Sequence, residues 1–219
     1  MLRLIILLLF IFNTSSSQES YQIAVLKYQG GGDWYSNPSS LSNLINFCNK
    51  NLNMNIDKEY KIVEASSSNL FDYPYVYMTG HGNVFFDDMD VENLRKYLKG
   101  GGFLHIDDNY GMDQYIRNEM KKIFPNINFV ELNTDHKIYN NIYKFDNGLP
   151  KIHEHDNHPP EGLALIYQNR IVCFYSYESD LGDGWENQNI HNNPNTIRID
   201  ALKMGANILS YSMDPNTKK

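Results

Sequence analysis

Five short segments of the chain carry residue types that do chemistry. FLHIDDNYGMD, residues 103–113, begins as a buried strand would and then places His105, Asp107 and Asp108 within four positions. Alternate side chains of a strand share a face, so His105 and Asp107 point one way and Asp108 the other. Two adjacent carboxylates at a strand end suit a hard cation or a general base, which makes Asp107 and Asp108 catalytic candidates. TGHGN sets His81 between two glycines. Small neighbours leave its imidazole reachable for proton transfer or metal ligation, and it joins the catalytic candidates. KIHEHDNHPP holds His153 and His155 in a His-x-His pair, both rings on one face of an extended chain. Glu154 or Asp156 could add oxygen ligands there, whereas His158, before two prolines, reads as a loop residue. ESDLGDGWE puts Glu178, Asp180, Asp183 and Glu186 around two glycines. Acids this dense repel one another unless they are solvated, protonated or paired with a cation, and a solvated acidic loop competes with a cation site. The spacing is not that of an EF-hand. Glu178 and Asp180, with His105, His153 and His155, form the metal-ligand candidates. GGGDWYSNP supplies Gly31, Gly32, Asp33, Trp34 and Tyr35 as ligand-binding candidates. Its glycines could bring amides close to an anion ahead of a helix, or simply turn the chain, and Asp33 could cap that helix or bind a ligand. Neither the dinucleotide fingerprint nor a P-loop is present. Trp185, with Trp34 and Tyr35, could form an aromatic platform.

These segments must be positioned by regular elements. YQIAVLKY reads as a first strand, KIVEA as a second, and YPYVYM as a third that is apolar on both faces and so central. FLHID is a fourth and INFVEL a fifth, and ALIYQNRIVCFYSY reads as two strands joined by a tight turn at Gln168-Asn169. Between them, Leu41, Leu44, Ile45 and Cys48 recur at helical spacing. A second helix capped by Asp87 or Asp88 carries Val91, Leu94 and Leu98 and stops at three glycines. A third is expected to be capped by Asp113, with Ile116, Met120 and Ile123 on one face, and a last one starts near Thr196. Alternating strands and helices predict an α/β fold with a mainly parallel sheet, arranged as a flavodoxin-like three-layer sandwich. In such sheets ligands bind outside the carboxyl ends of the strands, and four of the polar segments follow a strand there.

Composition narrows the function. The 219-residue chain has 26 acidic against 19 basic side chains and no basic run, which argues against nucleic acid. MLRLIILLLFIFNTSSSQ has a basic start, an apolar middle and a small-residue exit, the layout of a secretory signal over residues 1–17. Its apolar run falls short of the roughly 20 residues that span a bilayer, and no later stretch qualifies. The expected product is a single exported domain, residues 18–219, periplasmic or extracellular, without a membrane span. Cys48 lies on a helix face and Cys173 in an apolar strand, so two separate buried thiols are expected rather than a bridge or a nucleophile.

LKYQGGGDWYSNP, YMTGHGNVFF, LRKYLKGGGFLHIDDNYGMD, GLPKIHEHD and YESDLGDGWE, which between them span most of the chain after the signal, resemble the bacterial domain of unknown function family 4159. That family is similar to class I glutamine amidotransferase-like domains, in particular their ThuA-like branch. The resemblance implies the three-layer fold and leaves the activity open. Amidotransferases carry a nucleophilic cysteine at the strand-to-helix elbow, where this chain has Asp107, Asp108 and Asn109. Cysteine-dependent amidotransferase chemistry is therefore not expected. Three readings remain: a pocket for a small polar ligand or a divalent cation, hydrolytic if it is catalytic; a non-catalytic module for a glycan, a peptide or an envelope protein; and a degenerate enzyme fold kept as a scaffold.

Overall fold

The computed structural model describes residues 20–217, so the signal read at residues 1–17 lies outside the described residues. Seven strands form one sheet: β1 (Ala24–Lys27), β2 (Lys61–Glu64), β3 (Tyr75–Gly80), β4 (Phe103–Asp108), β5 (Val130–Glu131), β6 (Glu161–Tyr167) and β7 (Arg170–Tyr177). Their order is β2-β1-β3-β4-β7-β6-β5. The first five strands in that order run parallel, and β6 is antiparallel to both its neighbours. The helices are α1 (Ser40–Leu52), α2 (Asp88–Lys99), α3 (Asp113–Ile123), α4 (Lys137–Asn140), α5 (Leu181–Trp185), α6 (Gln188–His191) and α7 (Asn195–Met213).

The period-two alternation of the strands divides the core. Ala24, Leu26, Val76, Met78, Leu104 and Ile106 pack with Val91 and Leu94 of α2 and Ile116 and Met120 of α3. Val25, Tyr75, Tyr77 and Phe103 pack on the other face with Leu44 and Ile45 of α1 and Met204 and Ile208 of α7. Both faces are covered, which is why the central strands read as apolar throughout. Cys48 and Cys173 are free and buried in the two different clusters, so the sheet separates them. Burial pushes the Cys48 thiol up to about 12 and the Cys173 thiol well above its usual range.

Local chemistry explains the element ends. Asp87 caps α2 by accepting from the Met89 and Asp90 amides, and Asp90 returns a bond to the Asp87 amide. Gln168 and Asn169 have φ of 50° and 61°, the left-handed pair that a two-residue hairpin between β6 and β7 requires. Asp113 is not the cap of α3. It pairs with Arg117 at 2.7 Å and accepts the Tyr175 hydroxyl, while Asp108 accepts from the Tyr110 and Met112 amides and turns the chain into the helix. β5 is two residues long, shorter than the strand expected over INFVEL, and lies at the sheet edge with β6 as its one partner.

Candidate functional site

The parallel strands deliver their following loops to one edge. Residues 30–38 follow β1, His81 follows β3, residues 109–111 follow β4 and residues 178–186 follow β7. The chain leaves β1 outward to β2 and then crosses back to β3, so the crevice between β1 and β3 is a switch point of the kind that holds ligands in open α/β sheets.

Several side chains singled out from sequence work inside the fold. Asp107 is fully buried and accepts from the Tyr77 hydroxyl at 3.1 Å, the Ser176 hydroxyl, and the Leu181 and Gly182 amides at 3.2 and 2.7 Å. It ties α5 to the end of β4, and burial pushes its carboxyl up to about 6 despite these donors. Asp108 is buried and forms the turn described above; burial raises its pKa too. His105 is fully buried, its Nδ1 2.7 Å from the Tyr75 hydroxyl and its Nε2 3.0 Å from the Ser176 hydroxyl. Burial lowers its pKa to about 3, so it is a neutral core imidazole and not a rim ligand. Trp185 is also fully buried, donating to the Ala201 carbonyl, which removes it from any surface platform. Glu178 is buried against Lys151 at 2.8 Å, its charge already balanced. The Gly32 amide is taken by the Asn83 carbonyl, and α1 begins only at Ser40, so no anion cradle forms there; Gly31 stands exposed beside it. The acidic stretch is no solvated loop, because Leu181, Gly182, Gly184 and Trp185 are buried in α5.

What the edge does assemble is a His/Asp cluster. His153 Nδ1 lies 2.7 Å from one oxygen of Asp183, and His191 Nε2 lies 3.5 Å from the other. One ligand atom from each of the three falls within 4.8 Å of the rest. Asn37 donates to Asp183 at 2.6 Å, and His153 Nε2 meets Asn193 Oδ1 at 2.9 Å. Burial works to raise the Asp183 pKa, but His153, His191 and Asn37 outweigh it and hold the carboxylate below its ordinary value. The same bond to Asp183, with Asn193 at Nε2, raises the His153 pKa against its burial. Beside this trio, His155 Nε2 lies 2.7 Å from Asp180, and its ring is covered by Tyr110 at 4.6 Å. Burial, then Asp107 and Asp183, push the Asp180 carboxyl up to about 8.

Two further observations set this cluster apart. Among the described residues, the buried side-chain atoms without a protein partner are Asp180 Oδ1 and Asn193 Nδ2, an acceptor and a donor that both belong to it. Backbone strain concentrates here as well. Of the nine non-glycine residues with positive φ among the described residues, Asn37, Tyr110, Asn157, Glu178, Asp180 and Asn192 lie on its loops. Strain of this kind, about 1–3 kcal/mol per residue, persists where the surroundings hold it and gathers at functional sites. His81 stands nearer the switch point, its Nδ1 3.0 Å from Asp33, which also accepts the His81 amide. Its ring is 54% exposed, with Nδ1 oriented by a carboxylate and Nε2 turned away from that bond.

Sequence reasoning missed His191, Asn193, Asn37 and Tyr110, and it named Asp183 in the acidic stretch without choosing it as a ligand. His191 and Asn193 sit in an asparagine-rich stretch without periodicity, and Asn37 acts across 146 residues of chain. The sheet topology brings Asn37 to Asp183, His191 reaches it from the neighbouring α6, Asn193 meets His153, and Tyr110 covers His155.

Fold and site together define a class: a domain built on an open α/β sheet with a histidine and aspartate cluster outside its carboxyl edge. The chain belongs to the family DUF4159, a domain of unknown function, which it matches over residues 22–213. Among curated proteins none matches the chain. No helix among the described residues is long and apolar enough to cross a membrane.

Proposed function

We propose that the chain is an exported metal-dependent hydrolase centred on His153, Asp183 and His191. The observation that carries this reading is one carboxylate held between two imidazoles, with both orphaned buried polar atoms, Asp180 Oδ1 and Asn193 Nδ2, on the adjoining loops. Imidazole nitrogen with carboxylate oxygen is a donor set that suits zinc and similar divalent ions. His153, Asp183 and His191 would hold such a cation, and the His153 Nε2 contact with Asn193 would fix the ring for it. Its contribution would be Lewis acidity and a lowered pKa for water. Hydrolysis adds water across the scissile bond and delivers one proton to the leaving group. Asp180, whose carboxyl burial pushes up to about 8 in the metal-free chain and which His155 holds, is the side chain suited to give it.

Export rests on the sequence of residues 1–17 alone. The strand order β2-β1-β3-β4 supports a flavodoxin-like, amidotransferase-like architecture as the finer description of the fold. The second reading, a non-catalytic module for a glycan, peptide or envelope protein, draws on Trp34 and Tyr35 at the same edge, the latter 66% exposed.

Both readings are tested on the untagged chain from Gln18 onward. Elemental analysis after zinc loading and dialysis is expected to give about one ion per chain. His153→Ala and His191→Ala, shown to be folded by circular dichroism, are each expected to weaken zinc binding by more than about 100-fold, since loss of outer partners alone costs ~10–100-fold. A panel of nitrophenyl esters, phosphates and glycosides should then show turnover that a chelator abolishes. A chain without metal or turnover leaves the binding module.

A further inference from the structure

Under the loop after β1, against the face of β1, β2 and β3 that α1 covers, lies a cavity of about 220 Å³. Val25, Leu41 and Tyr77 are among the residues of its interior, and Trp34, Tyr35 and Tyr60 among those nearer its mouth. Trp34 and Tyr35 meet edge to face at 87°, their centroids 5.6 Å apart, so two of its rings stand perpendicular. The cavity adjoins the His/Asp cluster, because Asn37 lines it and also donates to Asp183. Tyr77 lines it too and bonds Asp107.

The chemistry of the walls selects the occupant. The polar groups that line the cavity are largely taken. The Tyr60 hydroxyl donates to the Pro38 carbonyl, Thr79 Oγ1 donates to Asn109, and Ser36 Oγ and Asn37 Oδ1 accept from Asn109. Asn37 Nδ2 is held by Asp183. A sugar ring would bring several hydroxyls to walls with few free partners, and each unpaired one costs about 1–3 kcal/mol. An aromatic ring brings no such demand and gains from edge and face contacts with Trp34, Tyr35 and Tyr60. An apolar cavity of about 150 Å³ holds benzene, so 220 Å³ has room for a benzene ring with two small substituents, as in p-cresol, whose one hydroxyl stays at the open mouth.

We propose that this cavity is the specificity subsite and takes a neutral aromatic group of the substrate, with the scissile bond reaching past Asn37 to Asp183. The assignment rests on the hydrolase reading for the direction of the scissile bond, and the cavity itself can be tested apart from it.

The probe is p-cresol, titrated into the untagged chain from Gln18 with and without zinc. Trp34 and the buried Trp185 are the two tryptophans, so a change in emission that disappears in Trp34→Phe reports the cavity. Saturable binding at millimolar concentration is expected, whether or not metal is present, in the parent chain and in His153→Ala. Ile62 lines the cavity and is 56% exposed, so Ile62→Arg leaves the core intact while placing a charge at the cavity; it is expected to weaken binding at least tenfold. Methyl α-glucoside is expected to leave Trp34 unchanged. No response to p-cresol, a response equal in Ile62→Arg, or a stronger response to the glucoside overturns the proposal. Zinc binding without p-cresol binding removes the subsite and keeps the hydrolase; p-cresol binding without zinc removes the hydrolase and keeps the cavity as an aromatic-binding site.

Discussion

Asp180, Asp107 and His105 are all buried near the carboxyl edge, and their surroundings give them opposite pH signatures. Asp180 is pushed from 3.8 to about 8, so between those values the folded chain holds a proton that the unfolded chain has released. Stability then falls as pH rises, by at most ~1.4 kcal/mol per pH unit. Asp107, raised to about 6, acts in the same direction but has largely finished titrating above that pH. Asp180→Asn is therefore expected to flatten the loss of stability between pH 6 and 8 in metal-free protein, read by urea unfolding. An unchanged slope would refute the buried placement of Asp180. His105, lowered to about 3, has the reverse sign: its contribution is complete above 6.5 and is lost as pH falls toward 3. His105→Asn is expected to be less stable than the parent at pH 7 by about 1–3 kcal/mol, with Tyr75 and Ser176 left poorly paired, and to lose less on acidification. Asn193→Ala removes the bond that orients His153 and is expected to weaken zinc binding ~10–100-fold in calorimetry without unfolding the chain.

Among the elements, α5 shows where local reading stops. Its sequence, LGDGW with Asp180 ahead of it, suggests a wet acidic turn; in the fold it is wedged between α1, α7 and the end of β4. A Cβ on Gly184 would meet the Ala201 Cβ at 2.3 Å, so the glycine is there for close approach to α7. Gly184→Ala is expected to cost about 1–3 kcal/mol of unfolding free energy through overpacking. Asp107→Asn keeps the shape but offers one oxygen where the Leu181 and Gly182 amides both need an acceptor, and a loss of about 1–3 kcal/mol is expected. By contrast α1, α2, α7 and the β6–β7 hairpin were legible, because their apolar spacing, the Asp87 box and the Gln168-Asn169 turn are signals confined to a few neighbouring residues. Asp113 was misread for the same locality: the helix start was found, but Asp108, from the preceding strand, does the turning.

At the scale of the molecule, the parallel sheet made the rim predictable, since every strand that runs the same way delivers its loop to the same edge. It did not reveal which rim residues face one another. His105, Asp107 and Trp185 lie in buried runs that next reach the surface at Tyr110 and Asn187, and they became core, whereas Asn37 from the N-terminal part of the chain and His191 from just beyond α5, both unremarkable in sequence, meet at Asp183. The Asn37 pairing, across 146 residues, is set by the sheet order that brings the loop after β1 and the one after β7 to the same edge, and it leaves no periodic trace. The central claim, that His153, Asp183 and His191 hold a cation, is tested most directly by crystals of the chain grown with zinc and measured on both sides of the zinc absorption edge. The account predicts an anomalous peak within bonding distance of one atom from each of the three residues. A peak elsewhere, or none in crystals whose mother liquor contains millimolar zinc, would contradict it.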